Sequence, residues 1–154
     1  MTILGISTNT RLVGTAIIKS GVLEDYNVKL YTAPWSPAKA SEIITGLEPC
    51  VRKYSIKKVI LSIPPTPYQT KEFKQLTTHI TGFFETRNIE VVTESVQLLQ
   101  AFCSEHGRKT KKKIMQGLVK RFPELQVPYE RELRNRNKYY VKMFEAVGMA
   151  LLHA

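Results

Sequence analysis

Short apolar runs at the start of the chain give way to longer stretches with helical spacing, and that change divides the sequence. Residues 2–7 read as a short buried strand carrying Ile3, Leu4 and Ile6. Thr8, Asn9 and Thr10 are turn residues, and Leu12 to Lys19, rich in Val and Ile, forms a second strand. Ser20 and Gly21 make a hairpin turn, after which Leu23 to Tyr31 alternates polar and apolar positions as a third. Three strands joined by short turns predict an antiparallel meander. Ser36 followed by Pro37 is a helix start, cap then first-turn proline. Ile43, Ile44, Leu47, Val51 and Tyr54 share one face of that helix, which Pro49 is expected to kink or interrupt.

Lys58 to Ile63 is a continuous apolar strand closed by Pro64, Pro65, Thr66 and Pro67. The next helix, Glu72 to Arg87, has Phe73, Leu76, Ile80 and Phe83 or Phe84 as its stripe; Ile89 to Val92 is another strand. Val96, Leu99, Phe102 and Cys103 mark a further helix. From Thr110 a helix turns Ile114, Leu118, Val119 and Phe122 inward and its lysines outward, and residues 123–138 read as basic turns. The last helix, Lys138 to His153, is apolar nearly all round and is expected to be buried. The order β-β-β-α-β-α-β-α-α-α predicts one α/β domain over residues 1–154, with a mixed five-stranded sheet and helices on its faces.

Composition narrows the class. At 154 residues, 43% hydrophobic and 23% charged, the chain sits near globular averages, which excludes disordered, collagen-like and coiled-coil architectures. It has no apolar run long enough to span a membrane, its apolar start is expected to carry no export signal, and Cys50 and Cys103 lie far apart. The expectation is a reduced, cytoplasmic protein. Charge changes the picture more. Residues 108–142 hold twelve basic and three acidic residues, so nine of the ten net positive charges fall in that stretch. Charge concentrated in this way points to a polyanion partner, nucleic acid first; a solvated face is the plain alternative. Asp25 is the only aspartate among thirteen acids, so a two-metal phosphodiester site would have to be built from glutamates.

The order of elements and the local sequence together resemble the RuvC-type Holliday-junction resolvases of the ribonuclease H-like superfamily, over essentially the whole chain. Ile3-Leu4-Gly5-Ile6-Ser7-Thr8-Asn9-Thr10-Arg11 with Gly14 is similar to the family's first strand and turn. Val59 to Ser62 stands where the family strand ends in a catalytic Glu. Gly107-Arg108-Lys109-Thr110-Lys111 resembles its basic loop, and Glu145-Ala146 through His153 its last helix. The resemblance implies a ribonuclease H-like fold, four-way junction DNA as partner and a homodimer formed through a helix, here Glu72 to Arg87 with Phe83 and Phe84. It also implies Mg²⁺ or Mn²⁺ held by carboxylates.

The departures fall on that chemistry. Ser7 stands for the first Asp, Ser62 for the Glu, and Lys142 and Glu145 for the final pair. Hydroxyls are poor Mg²⁺ ligands and Lys142 repels a cation, so no cofactor is expected; Glu145 is the one weak metal candidate. Glu145 is otherwise expected to pair with Lys142 or to face solvent.

The expected nucleic-acid contacts are Arg11, Arg108, Lys109, Lys111, Lys112, Lys113, Arg134, Arg136 and Lys138, which would meet phosphates without reading sequence. Tyr139 and Tyr140 could stack on an unpaired base, though core packing is the expected fate of at least one. His79, His106 and His153 show no metal spacing, and Cys50 and Cys103 fall on apolar faces expected to be core. The leading expectation is a RuvC-like protein that binds branched DNA and does not cut it. A divergent Mg²⁺ or Mn²⁺ junction nuclease using Glu145 with Glu94 or Asp25 is one alternative, and a dimeric interaction scaffold is another.

Overall fold

Every residue of β1 (Thr2–Thr8) is buried, as a strand with neighbours on both edges and helices on both faces must be. The structure is a computed structural model and describes residues 1–103 and 110–154. β1 pairs antiparallel with β2 (Leu12–Lys19), which pairs antiparallel with β3 (Val22–Leu30). Ser20 and Gly21 both take positive φ, as a two-residue hairpin between right-twisted strands requires. On its other edge β1 runs parallel to β4 (Lys58–Ile63), and β4 parallel to β5 (Glu90–Ser95), giving the order β3-β2-β1-β4-β5. The expected mixed five-stranded sheet is present.

Alternation along the strands sends side chains to two separate cores. Leu4, Ile6, Val13, Ile17, Val59 and Leu61 face α1 (Pro37–Lys53) and α2 (Lys71–Glu85), meeting Ile43, Leu47, Leu76, Ile80 and Phe84. Ile3, Ala16, Ile18 and Ile60 face α5 (Val141–Leu152) and α3 (Lys111–Arg121). The helices start where their caps are. Ser36 Oγ accepts the Lys39 N–H, Thr70 Oγ1 that of Phe73 and Thr110 Oγ1 that of Lys113. All eight residues from Met143 to Ala150 are buried, as the apolar character of the last helix predicts.

Four expectations need correction. Pro49 does not interrupt α1, which is one helix; Pro49 and Thr45, whose carbonyl loses its N–H partner, are both exposed residues. Val96–Phe102 is a 3₁₀ helix, and the three-residue spacing of Val96, Leu99 and Phe102 fits that tighter turn. Residues 123–138 are not turns alone: a 3₁₀ turn at Pro123–Leu125 leads into α4 (Gln126–Arg134), whose inner face is Pro128, Tyr129 and the carboxylate of Glu132. Accordingly α5 begins at Val141 rather than Lys138. The two cysteines are free and half-buried, at the margins of the packing rather than in the core, and burial with nearby Asp25 raises the Cys50 pKa. Among the described residues no helix is long and apolar enough to cross a membrane.

One contact sets the height of α5 above the sheet. A Cβ on Gly5 would overlap the Ala146 carbonyl, and one on Gly14 would overlap the backbone at Lys142 and Met143. The helix backbone therefore lies directly on β1 and β2. Gly5→Ala is expected to cost about 1–3 kcal/mol, as overpacking does, because the obstacle is backbone rather than a movable side chain. Urea titration measures this, and an unchanged unfolding midpoint would show that α5 is not seated there.

Candidate functional site

Ser7 lies at the carboxyl end of β1, on the α5 face with Gly5 and Ile3. The parallel register Ile6 to Leu61 continues to bring Ser62 beside it, and Ser62 in turn is in register with Glu94 on β5. Across β2, Ser7 is opposite Gly14. The first turn of α5 lies over this row, since its backbone at Lys142 meets Gly14. The fold thus brings Ser7, Ser62, Lys142 and Glu145 together in one cleft of about 420 Å³, walled by Thr8 and Pro64 and joined by Lys111 at the start of α3.

Glu145 is the centre of the cleft's electrostatics. Only 5% of it is exposed. Its Oε1 accepts two bonds, from Ser7 Oγ at 3.0 Å and from Lys142 Nζ at 2.9 Å. Its Oε2 lies 4.0 Å from Lys111 Nζ, a side chain that is 64% exposed. A charge-assisted bond to an ammonium and a hydroxyl donor are what a nearly buried carboxylate needs. Of the two expectations for Glu145, pairing with Lys142 is borne out and solvent access is not.

This donor set does not fit a divalent cation. Among the described residues no three His, Cys, Asp or Glu side chains gather at any point. At an effective dielectric near 20, a divalent ion about 4 Å from a unit charge interacts by roughly 8 kcal/mol, twice the figure for two unit charges. One ammonium therefore cancels the attraction of the single carboxylate, and the second, though more screened, tips the balance to repulsion. The other acids do not help. Glu94 Oε1 is held by His153 Nε2 at 2.9 Å, and Asp25 of β3 is opposite Ile17 of β2 and acts on Cys50 of α1; neither lines the cleft.

The basic residues expected to meet phosphates are spread around this end of the sheet. Arg11 is exposed in the β1–β2 turn, where Asn9 Oδ1 accepts the N–H groups of Arg11 and Leu12. Lys111 and Lys112 are exposed on the first turn of α3, with Lys113 half-buried beside them. Arg134, Arg136 and Lys138 are exposed at the end of α4 and in the segment after it. Arg108, Lys109 and His106 lie outside the described residues. Tyr139 and Tyr140 are half-buried and meet edge to face at 5.0 Å.

Sequence reasoning missed two participants. Tyr68, on the 3₁₀ turn Thr66–Tyr68, is 73% exposed at the cleft's rim, and its signal was an aromatic following a Pro-Pro-Thr-Pro run. Glu132, counted as one more acid in a basic stretch, is completely buried. In the expected dimer helix, Phe84 belongs to the core and Phe83 is half-buried, with the Arg87 guanidinium 3.8 Å above its ring.

With this geometry in hand, comparison with known proteins places the fold. Compared by sequence, the chain matches no protein-family model and no curated protein. Compared by structure, it is similar to Thermus thermophilus RuvC in complex with Holliday junction substrate, at a TM-score of 0.75 and 13% identity over 99% of this chain and 92% of that one. The fowlpox virus resolvase in complex with Holliday junction DNA gives a TM-score of 0.64 and 15% identity over 99% and 96%. The yeast mitochondrial Holliday junction resolvase gives 0.69 and 12% over 97% and 75%. The fold is the one these Holliday junction resolvases share, a mixed five-stranded sheet flanked by helices.

A paired substitution measures the ion pair. Lys142→Met leaves a nearly buried carboxylate with one strong donor fewer, expected to cost about 1–3 kcal/mol in chemical denaturation. Adding Glu145→Leu is expected to recover most of that loss, since removing both charges is far cheaper than stranding one. If the double variant is less stable than the single, the pair is not what satisfies Glu145.

Proposed function

We propose that this protein binds branched DNA through phosphate contacts around the α5 cleft and does not cut it. The observation that carries the reading is the Lys142–Glu145 pair, an ammonium of the chain's own where a divalent ion would otherwise have to sit. A pocket of several carboxylates is unfavourable unless cations fill it. A pocket of two serines and one ion pair is complete without them. The fold shared with junction resolvases supports DNA as the polyanion, and the exposed cations of Arg11, Lys111, Lys112, Arg134, Arg136 and Lys138 supply a track for its backbone. Lys111 and Lys142 face the cleft as point charges that hold a phosphate oxygen without orienting it for attack. A homodimer belongs to the same proposal, with half-buried Phe83 on α2 as its contact and sedimentation velocity as its measure.

The direct test is a labelled four-way junction, followed for binding and cleavage together, with EDTA and with Mg²⁺ or Mn²⁺. Binding is expected in both conditions and cleavage in neither. With about six phosphates neutralised, log affinity should fall against log salt with a slope near −5. Metal-dependent scission, or binding insensitive to salt, would refute the proposal.

A second experiment reads the pocket without reference to activity. Ser7→Asp, Ser62→Glu and Lys142→Asp together are expected to lower the melting temperature in EDTA, by crowding buried carboxylates, and to regain it on adding Mn²⁺. A triple variant as stable in EDTA as the parent would show that the cleft never depended on an internal cation.

A further inference from the structure

A separate groove opens between α4 and the start of α5. It has a volume of about 440 Å³ and is lined by Arg131, Arg134, Asn135, Asn137, Tyr139 and Tyr140, none of which lines the cleft around Glu145.

The groove is built on Glu132. This carboxylate is wholly inaccessible to solvent, and it accepts the Tyr139 N–H at 2.9 Å, the Tyr140 N–H at 2.8 Å and the Asn135 side-chain N–H at 3.1 Å. Committed inward to these donors, Glu132 makes no ion pair with the cations around it. Glu130 is engaged by Gln126 at 3.0 Å. Among the described residues no carboxylate pairs with Arg131, Arg134, Arg136 or Lys138. The rings are fixed as well. The Tyr139 hydroxyl donates to the Val28 carbonyl at 3.3 Å, and Tyr140 packs edge-on against Tyr139.

Two guanidinium forks without an ion-pair partner among the described residues, an exposed side-chain amide and a pair of packed aromatic rings in one open groove suit a ligand that is anionic at one end and flat at the other. We propose that this groove binds an unpaired nucleotide of a nucleic-acid strand. Arg131 and Arg134 take its phosphate, the tyrosine pair offers a surface for its base, and the Asn137 amide meets the base edge as both donor and acceptor. Fully paired DNA can satisfy the arginines alone, because its base faces are already stacked on their neighbours. The proposal rests on nucleic acid being the partner but uses residues apart from the Lys111–Lys142 cleft.

The test uses the full chain with a fluorescein-labelled oligothymidylate of about 12 nucleotides, within the usual span of single-strand sites. A blunt duplex and a four-way junction serve as comparisons at the same salt. Arg131→Gln with Arg134→Gln, and separately Asn137→Ala, are expected to weaken oligothymidylate binding. The arginine pair should cost about tenfold or more on the single strand and weaken the duplex as well, whereas Asn137→Ala should leave duplex affinity within about threefold. All three residues are exposed, so melting temperatures should not change. Quenching of a 2-aminopurine placed in the strand should be lost in the arginine variant. Equal losses on single strand and duplex in the Asn137 variant would reduce the groove to a plain phosphate track and overturn the proposal, as would no loss at all. Junction binding by the parent protein without oligothymidylate binding would overturn it while leaving the proposed function standing. Failure to bind any of the three ligands would remove both.

Discussion

The contact of α5 with the floor of the sheet governs the rest of the structure. Because Gly5 and Gly14 carry no side chain, the helix backbone rests on two strands rather than on a layer of side chains. Here Ser7 and Glu145, 138 residues apart, share a hydrogen bond of 3.0 Å. The same seating puts Lys142 over Gly14 and buries the whole middle of the helix.

Around that contact the charges balance without outside help. Glu145 has a hydroxyl and an ammonium on one oxygen and a second ammonium facing the other, and Ser7 and Ser62 bring no charge of their own. Neutral side chains on two buried strands cost little to desolvate, whereas carboxylates there would need a counter-charge. The serines and Lys142 are one electrostatic solution and are best understood together. At the other end of the helix His153 Nε2 and Glu94 Oε1 meet at 2.9 Å.

Much of this was legible in the chain because strand alternation and cap residues act locally. Ser36 and Thr110 cap the helices they were expected to start, and the Ser20–Gly21 turn joins β2 to β3 through the Lys19–Val22 pair. Convergence of Ser7, Ser62, Lys142 and Glu145 was legible only through the resemblance to a family, since no spacing rule joins residues so distant in sequence. What escaped was hidden by chemistry. α4 looked like turns because its inner face ends in a carboxylate, and a polar residue in the interior defeats any reading that equates apolar with inside. The 3₁₀ segment was mistaken for an ordinary helix although its apolar residues recur every three positions and not at three and four alternately.

Glu132 ties together more than it touches. It fastens the backbone at Tyr139 and Tyr140, and Lys142 follows two residues later on the same rigid turn. The aromatic groove and the ammonium in the cleft are therefore mounted on one short piece of chain, with a single hidden acid as its pivot. The placement of that acid thus bears on the geometry of both surfaces at once.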